Sequence, residues 1–431
     1  MRYFSFAVLV LVALVGWSAG EDSELRVNGE RLNQRFVDLA RFGMNAEGGM
    51  DRFAFSDADI ESRPYLEKSL EAAGLEVHVD EAGNIFGRRE GSRPDLPPIV
   101  FGSHTDSVAN GGRFDGPVGT LSAIEVAQVI NERKITTLHP LEVVIFTDEE
   151  GGLVGSKALI GELSAGALEQ VSHSGKTISE GITAIGGNPA LLENMVRSLG
   201  DVAAYLEIHI EQGRILDSEK VEIGVVEGIV GISWWDVTIE GSANHAGTTP
   251  MNLRNDALLS AAELVIAVNR VVTSVPGSQV GTVGKIRAEP GVPNVIPGKV
   301  EMSLELRDLS KAKVDDLFKS IEEEARAIAE KTGTTISFDP SETSTTPSLT
   351  DPRLREAIVE SAKKLELSYK LMPSGAGHDA QSMAKIGPIG MIFIPSVDGV
   401  SHSPKEYSRP GDIENGANVL LHTILEIDRG L

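Results

Sequence analysis

The segment LEVVIFTDEEG, residues 141–151, constrains the fold most strongly. Its apolar run does not alternate with polar residues, which predicts a strand covered on both faces. It then ends abruptly in three acids. Three other apolar runs end the same way, in polar residues able to bind ligands: IVFGSHTD (99–106), AYLEIHIEQG (204–213) and GMIFIPSVDGVSHS (390–403). Helical spacing appears between and after them, in PVGTLSAIEVAQVINERK, DPRLREAIVESAKKLE and DIENGANVLLHTILEID. Strands alternating with helices predict an α/β fold, a mixed sheet with helices on both faces. In such sheets ligands gather at the carboxyl ends of strands. The four polar termini are therefore expected to meet.

The pattern changes near Gly231. In WWDVTIEG, Trp235, Val237 and Ile239 alternate with Asp236, Thr238 and Glu240, and KVEMSLELRD (299–308) alternates equally cleanly. Such strands suit an antiparallel sheet with one buried face. The amphipathic stretches DALLSAAELVIAVNRVV and KVDDLFKSIEEEARAIAEKTG can cover that face. Residues 231–345 are thus expected to form an inserted α+β domain, with 21–230 and 346–431 forming the main one. A chain of 431 residues is long enough for two domains.

The N-terminus, MRYFSFAVLVLVALVGWSAGE, has a basic Arg2, an apolar core from Phe6 to Trp17, and small residues Ser18 and Gly20 before Glu21. This is a signal-peptide pattern over 1–20, predicting export to the periplasm or exterior. The alternative is an uncleaved anchor, for which the apolar run is short. No other segment reads as a membrane span. The net charge is −24, with 63 acidic residues against 39 basic ones. That argues against nucleic acid and anionic membrane surfaces as partners. With no cysteine in the chain, any metal must be held by His, Asp and Glu.

Taken singly, the polar strand ends are ambiguous. His104 can ligate a metal while Asp106 accepts its other ring N–H, but the same pair also suits a polar loop. Asp115 in RFDGPVG is either a helix cap or a carboxylate placed to bridge two cations. Asp148, Glu149 and Glu150 repel one another unless solvent or cations intervene; one could ligate while another acts as general base. Glu207, His209 and Glu211 share one face by alternation. His402 lies in a loop between strand and helix. His245 in NHAGTTPM and His378 in GAGHDA sit in Gly-rich turns, where backbone and ligand can approach closely. His78, His139, His173 and His422 receive no role. There is no HExxH or GxSxG, and SGAGHDA lacks the third glycine of a dinucleotide fingerprint.

Seven stretches in order, GSHTDSVANGGRFDG, FTDEEG, EIHIEQG, GSANHAGTTPM, PGVPNVIPGKVEMSLELRD, SGAGHDA and SHSPKEYS, resemble the M20-type metallohydrolases. They are most similar to the amidase branch of N-carbamoyl-L-amino-acid hydrolases, allantoate amidohydrolases and β-ureidopropionase. The resemblance spans about residue 30 to the C-terminus. It implies a dinuclear metal catalytic domain and an inserted lid and dimerisation domain, hence a homodimer. It also implies two divalent ions per subunit, Zn²⁺ or Mn²⁺, or else Co²⁺ or Ni²⁺. His104 and His209 would hold one ion, Glu150 and His402 the other, and Asp115 would bridge them, with Glu149 as general base. His245 would stabilise the oxyanion, reaching into the partner's site. Asn294 and Arg307 would hold the substrate carboxylate, Gln212 would contact its ureido or carboxylate end, and Gly377 and His378 would line the pocket.

The activity so implied is hydrolysis of the carbamoyl C–N bond of a small ureido acid, an N-carbamoyl-L-amino acid. Allantoate or ureidoglycolate hydrolysis and an exported peptidase are the alternatives. Peptidases of the wider family usually present an acid where this chain has His209, which favours the amidase branch. DEEGGLVGSKAL departs from the pattern by being short and lacking an Arg-Phe pair.

Overall fold

The computed structural model describes residues 25–341 and 344–430. The expected signal peptide lies outside them. In chain order the strands are β1 (Glu76–Val79), β2 (Ile85–Arg89), β3 (Ile99–His104), β4 (Leu141–Phe146), β5 (Ala204–Ile210) and β6 (Ile223–Ile229). Next come β7 (Gly231–Glu240), β8 (Asn244–His245), β9 (Val280–Thr282), β10 (Ile286–Glu289), β11 (Val295–Ile296), β12 (Lys299–Asp308) and β13 (Thr335–Pro340). The last are β14 (Ser348–Leu349), β15 (Tyr369–Ser374) and β16 (Ile389–Ile394).

The larger sheet is mixed, in the order β1-β2-β4-β3-β5-β16-β6-β14, with β15 paired to β6. Its centre is parallel: β3 runs with β4 and β5, and β16 with β5. Every residue of β3, β4, β5 and β16 is buried. This explains their continuous apolar sequences, because alternate side chains feed two separate cores. Ile99, Phe101, Val143, Ile145, Leu206 and Ile208 face one core, with the helices Gly29–Leu39, Pro117–Glu132, Pro352–Lys364 and Pro410–Gly430. Val100, Val144, Phe146 and Tyr205 face the other, with Leu159, Ala380 and Met383.

The smaller sheet is antiparallel, in the order β10-β12-β7-β13, with β9 also on β12. Trp235 pairs with Leu304, Val237 with Met302 and Ile239 with Val300, so the alternating residues share one face. The helices Ala257–Ser274 and Lys311–Thr332 cover that face, and Trp235 stacks on Phe318 with ring centroids 4.1 Å apart. β8 and β11 form a separate two-stranded ribbon.

Two expectations need correction. By length and composition the helix Ala257–Ser274 could cross a membrane, with mean hydropathy 1.5 over 18 residues. Here it lies on the antiparallel sheet, burying Ala261, Leu264, Val268 and Val272, while Leu259 and Ile266 stay exposed. The alternation of Glu207, His209 and Glu211 also fails to persist. β5 ends at Ile210, and the Glu211 carboxylate turns away to accept the N–H groups of Ile215 and Leu216, both at 2.8 Å.

Candidate metal centre

Because β3, β4, β5 and β16 are parallel, their carboxyl ends open on one edge of the sheet. His104 is the last residue of β3, Glu149 and Glu150 follow β4, His209 lies near the end of β5, and His402 follows β16. Asp115 enters from the N-terminus of the helix Pro117–Glu132. Its Oδ1 lies 3.2 Å from Nε2 of His209 and 3.9 Å from Nε2 of His104. Its Oδ2 lies 3.3 Å from Nε2 of His402, which in turn is 3.6 Å from Oε1 of Glu150. The ligand-type atoms therefore form two triads sharing Asp115: His104 with His209, and Glu150 with His402.

This arrangement resolves the ambiguity at Asp115. The helix cap is Gly116, and no side chain caps that terminus. Gly116 has φ 79°, and a Cβ there would meet the His104 ring at 2.4 Å. Glycine thus permits both the left-handed backbone and the close approach of helix to imidazole. The carboxylate is left to face the histidines.

The two buried imidazoles are oriented from behind. Nδ1 of His104 is 3.2 Å from the Asp106 carbonyl, and Nδ1 of His209 is 2.9 Å from the Ile210 carbonyl. Each Nδ1–H is thereby engaged and each Nε2 is turned toward Asp115. The nearer partner of His104 is the Asp106 backbone carbonyl; the Asp106 carboxylate Oδ1 is 3.5 Å from Nδ1. The same carboxylate accepts the N–H groups of Glu149 at 3.3 Å and Glu150 at 3.1 Å, tying the end of β3 to the end of β4.

The electrostatics favour positive charge at this point. Burial alone would lower the His104 imidazole, yet Glu149 and Asp106 hold it well above its ordinary value. Burial would raise Asp115, yet hydrogen bonds from His209 and His402 hold it well below the usual carboxylate range. Burial raises Glu149 well above normal and lifts Glu150 to about 7. Among the described residues, Nε2 of His104 and Oε1 of Glu150 are buried atoms with no hydrogen-bond partner. Imidazole nitrogens and carboxylates converging on one point, with no lysine or arginine among the described residues at their centre, fit divalent cations. A set of N and O donors without sulfur suits Zn²⁺ or Mn²⁺.

A cavity of about 210 Å³ opens beside the cluster, lined by Leu153, Gln212, Ala376, Gly377, His378 and the ligand-type residues other than His104. Gln212 reaches further than expected, its Nε2 donating to Oδ2 of Asp115 at 2.8 Å. His378 is buried against His209, with ring centroids 4.5 Å apart. His245, Asn294 and Arg307 do not line this cavity within one chain. His245 and Asn294 meet instead on the exposed ribbon, where the Ala246 N–H donates to the Asn294 carbonyl. Nδ1 of His245 accepts the N–H groups of Gly247 and Thr248, leaving Nε2 as the protonated nitrogen.

Two residues of this neighbourhood carry no signal in the sequence. Arg52 is buried, and its guanidinium donates to the carbonyls of Thr105, Leu39 and Phe42, bracing the segment after His104. Glu406 lies inside SHSPKEYS, where nothing marks it apart from a surface acid.

Comparison with known proteins places the chain in a family. Residues 100–426 match peptidase family M20/M25/M40. The N-carbamoyl-L-amino acid amidohydrolase of Geobacillus stearothermophilus is 41% identical over 94% of this chain and 100% of its own length. The allantoate amidohydrolase of Bacillus subtilis is 33% identical over 90% of this chain and 95% of its own. The crystal structure of an amidase of the hydantoinase/carbamoylase family from Burkholderia multivorans superposes with TM-score 0.86 at 37% identity, covering 93% and 98% of the two chains. This chain therefore belongs to peptidase family M20/M25/M40, and within it to the amidase branch.

Proposed function

We propose that this chain is a dinuclear metal amidohydrolase that cleaves the carbamoyl C–N bond of an N-carbamoyl-L-amino acid. Water is consumed, and the free amino acid, CO₂ and ammonia are released. The observation that carries the reading is Asp115 ringed by His104, His209 and His402, with Glu149 and Glu150 beside it. His104 and His209 would hold one ion, Glu150 and His402 the other, and Asp115 both. When bound, such ions polarise the carbonyl and favour ionisation of water.

The remaining chemistry belongs to the chain's own residues. Glu149, largely enclosed and with its carboxyl raised by desolvation, takes the proton of the attacking water and delivers it to the leaving nitrogen. His245 presents Nε2–H and supports the oxyanion from a second copy of the chain, since it does not reach the cavity of its own. Arg307 and Asn294, which also stand outside the cavity of their own chain, anchor the substrate carboxylate from the lid domain, and Gln212, Gly377 and His378 frame the ureido end.

The amidase-branch relatives support a ureido substrate, and His209 in place of an acid disfavours a peptide. Ammonia release compared over N-carbamoyl-L-amino acids, allantoate, ureidoglycolate and dipeptides tests the choice. Highest kcat/KM on a carbamoyl amino acid supports it. Highest kcat/KM on any other class replaces it.

The same reading assigns residues 21–230 and 346–431 to the catalytic domain and 231–345 to the lid and dimerisation domain. Exposed Met251, Leu253, Leu259 and Ile266 support dimerisation through that lid. Export with cleavage before Glu21 completes the proposal, and N-terminal sequencing of the extracytoplasmic protein tests it.

A further inference from the structure

We propose that Glu406 is a positioning residue that sets the spacing between the two halves of the metal centre. This inference rests on the dinuclear reading above. Glu406 is 4% exposed, and among the described residues no lysine or arginine pairs with it. A buried carboxylate without a cation is costly unless donors surround it. Its donors come from both halves of the centre. Oε1 accepts the N–H groups of Phe114 at 2.8 Å and Asp115 at 3.0 Å. Oε2 accepts the hydroxyl of Ser401 at 3.0 Å, one residue before His402. Ser401 in turn stands 2.8 Å from Oδ2 of Asp115.

One side chain thus fastens the peptide of the bridging residue and the loop that delivers His402, almost 300 residues apart in sequence. The fit is close: a Cβ on Gly112 would lie 1.9 Å from Oε1 of Glu406, so a larger residue there would displace the carboxylate. The Ser401 hydroxyl has one proton and faces two carboxylates. It can donate to only one of them at a time.

These contacts separate the roles of geometry and charge. Glu406→Gln keeps Oε1 for the two peptide N–H groups. Its amide then donates to Ser401, whose single proton goes to Asp115, so every contact is satisfied without the charge. Glu406→Ala removes the clamp altogether.

The test is stepwise Mn²⁺ titration of ion-free full-length protein by calorimetry, with the unfolding midpoint of each ion-free variant as a control. Wild type is expected to bind two ions per chain. In Glu406→Ala the weaker of the two Kd values should rise about tenfold or more, the scale of outer-shell effects on metal sites. Glu406→Gln should stay within about threefold of wild type, well inside that scale. Ser401→Ala, in a half-exposed loop, should weaken the same ion and keeps the test decisive if Glu406→Ala does not fold. Two ions bound by wild type and bound equally well by the alanine variants would overturn this inference alone, as would a glutamine variant as weak as alanine. No Mn²⁺ uptake by wild type would overturn the dinuclear reading with it.

Discussion

Arg307 meets Glu305 side-on, with Nε 2.6 Å from Oε1 and Nη2 3.1 Å from Oε2. Its Nη1 also donates to the carbonyl of Gly375 at 2.7 Å, joining β12 to the loop that carries Gly377 and His378. Three of the five guanidinium N–H groups are therefore engaged. One on each terminal nitrogen is left to offer a substrate carboxylate. Lysine cannot supply both contacts at once. Arg307→Lys should raise KM for an N-carbamoyl-L-amino acid about tenfold or more, with kcat little changed, because a charged hydrogen bond to substrate is worth about 1.5–3 kcal/mol. Steady-state kinetics check this; a fall in kcat at constant KM would contradict the anchoring role.

Glu149 is assigned to proton transfer and not to ion binding. Glu149→Gln should keep the wild-type metal content while kcat falls by about 10²–10⁴-fold. Elemental analysis and turnover measured on one preparation decide it. Near-normal turnover would remove Glu149 from the mechanism.

Gly116 lets the helix approach His104. Alanine there would need φ near 79° and would drive its Cβ into the imidazole. Gly116→Ala should weaken Mn²⁺ binding by about tenfold or more, since displaced ligands lose affinity on that scale. Unchanged binding would mean that the ring and helix move apart freely.

Asp80 offers a pH test away from the ligands. It accepts from the N–H groups of Ala82 and Asn84 and from the Asn84 amide, while Asn84 accepts from Thr147 just after β4. Burial nevertheless raises its carboxyl to about 6. A carboxyl raised by folding stabilises while it is protonated. Its contribution is complete below about pH 4 and is lost as the pH rises through about 6, about 3 kcal/mol at most. Asp80→Asn should flatten that part of the stability curve. Denaturant unfolding of both proteins between pH 4 and 7 measures the difference, and parallel curves would contradict it.

Much of the centre is legible in sequence because parallel strands buried on both faces must be apolar until they end. Polar residues then appear abruptly, as at His104, Asp148 and Glu211. β6 and β15 escape notice. VEIGVVEGIVG is interrupted by glycines, and SYKLMPS is half-exposed with no clean period. Glu406 and Arg52 could not be recognised because their meaning lies in contacts with distant segments. By sequence alone Asp115 reads more readily as a helix cap than as a ligand, but the backbone places Gly116 at the cap and three imidazoles around the carboxylate. His245 and Asn294 lie far apart in sequence, and only the pairing of His245 with Val295 brings them together.

The central claim is that paired divalent ions on these residues drive hydrolysis of a carbamoyl C–N bond. Its most direct test is ammonia release from an N-carbamoyl-L-amino acid by metal-stripped protein, before and after two equivalents of Mn²⁺ per chain are restored. The expected result is no release from the stripped protein and full release at two equivalents. Undiminished release from stripped protein, or none after Mn²⁺, Zn²⁺ or Co²⁺ is supplied, would contradict the account.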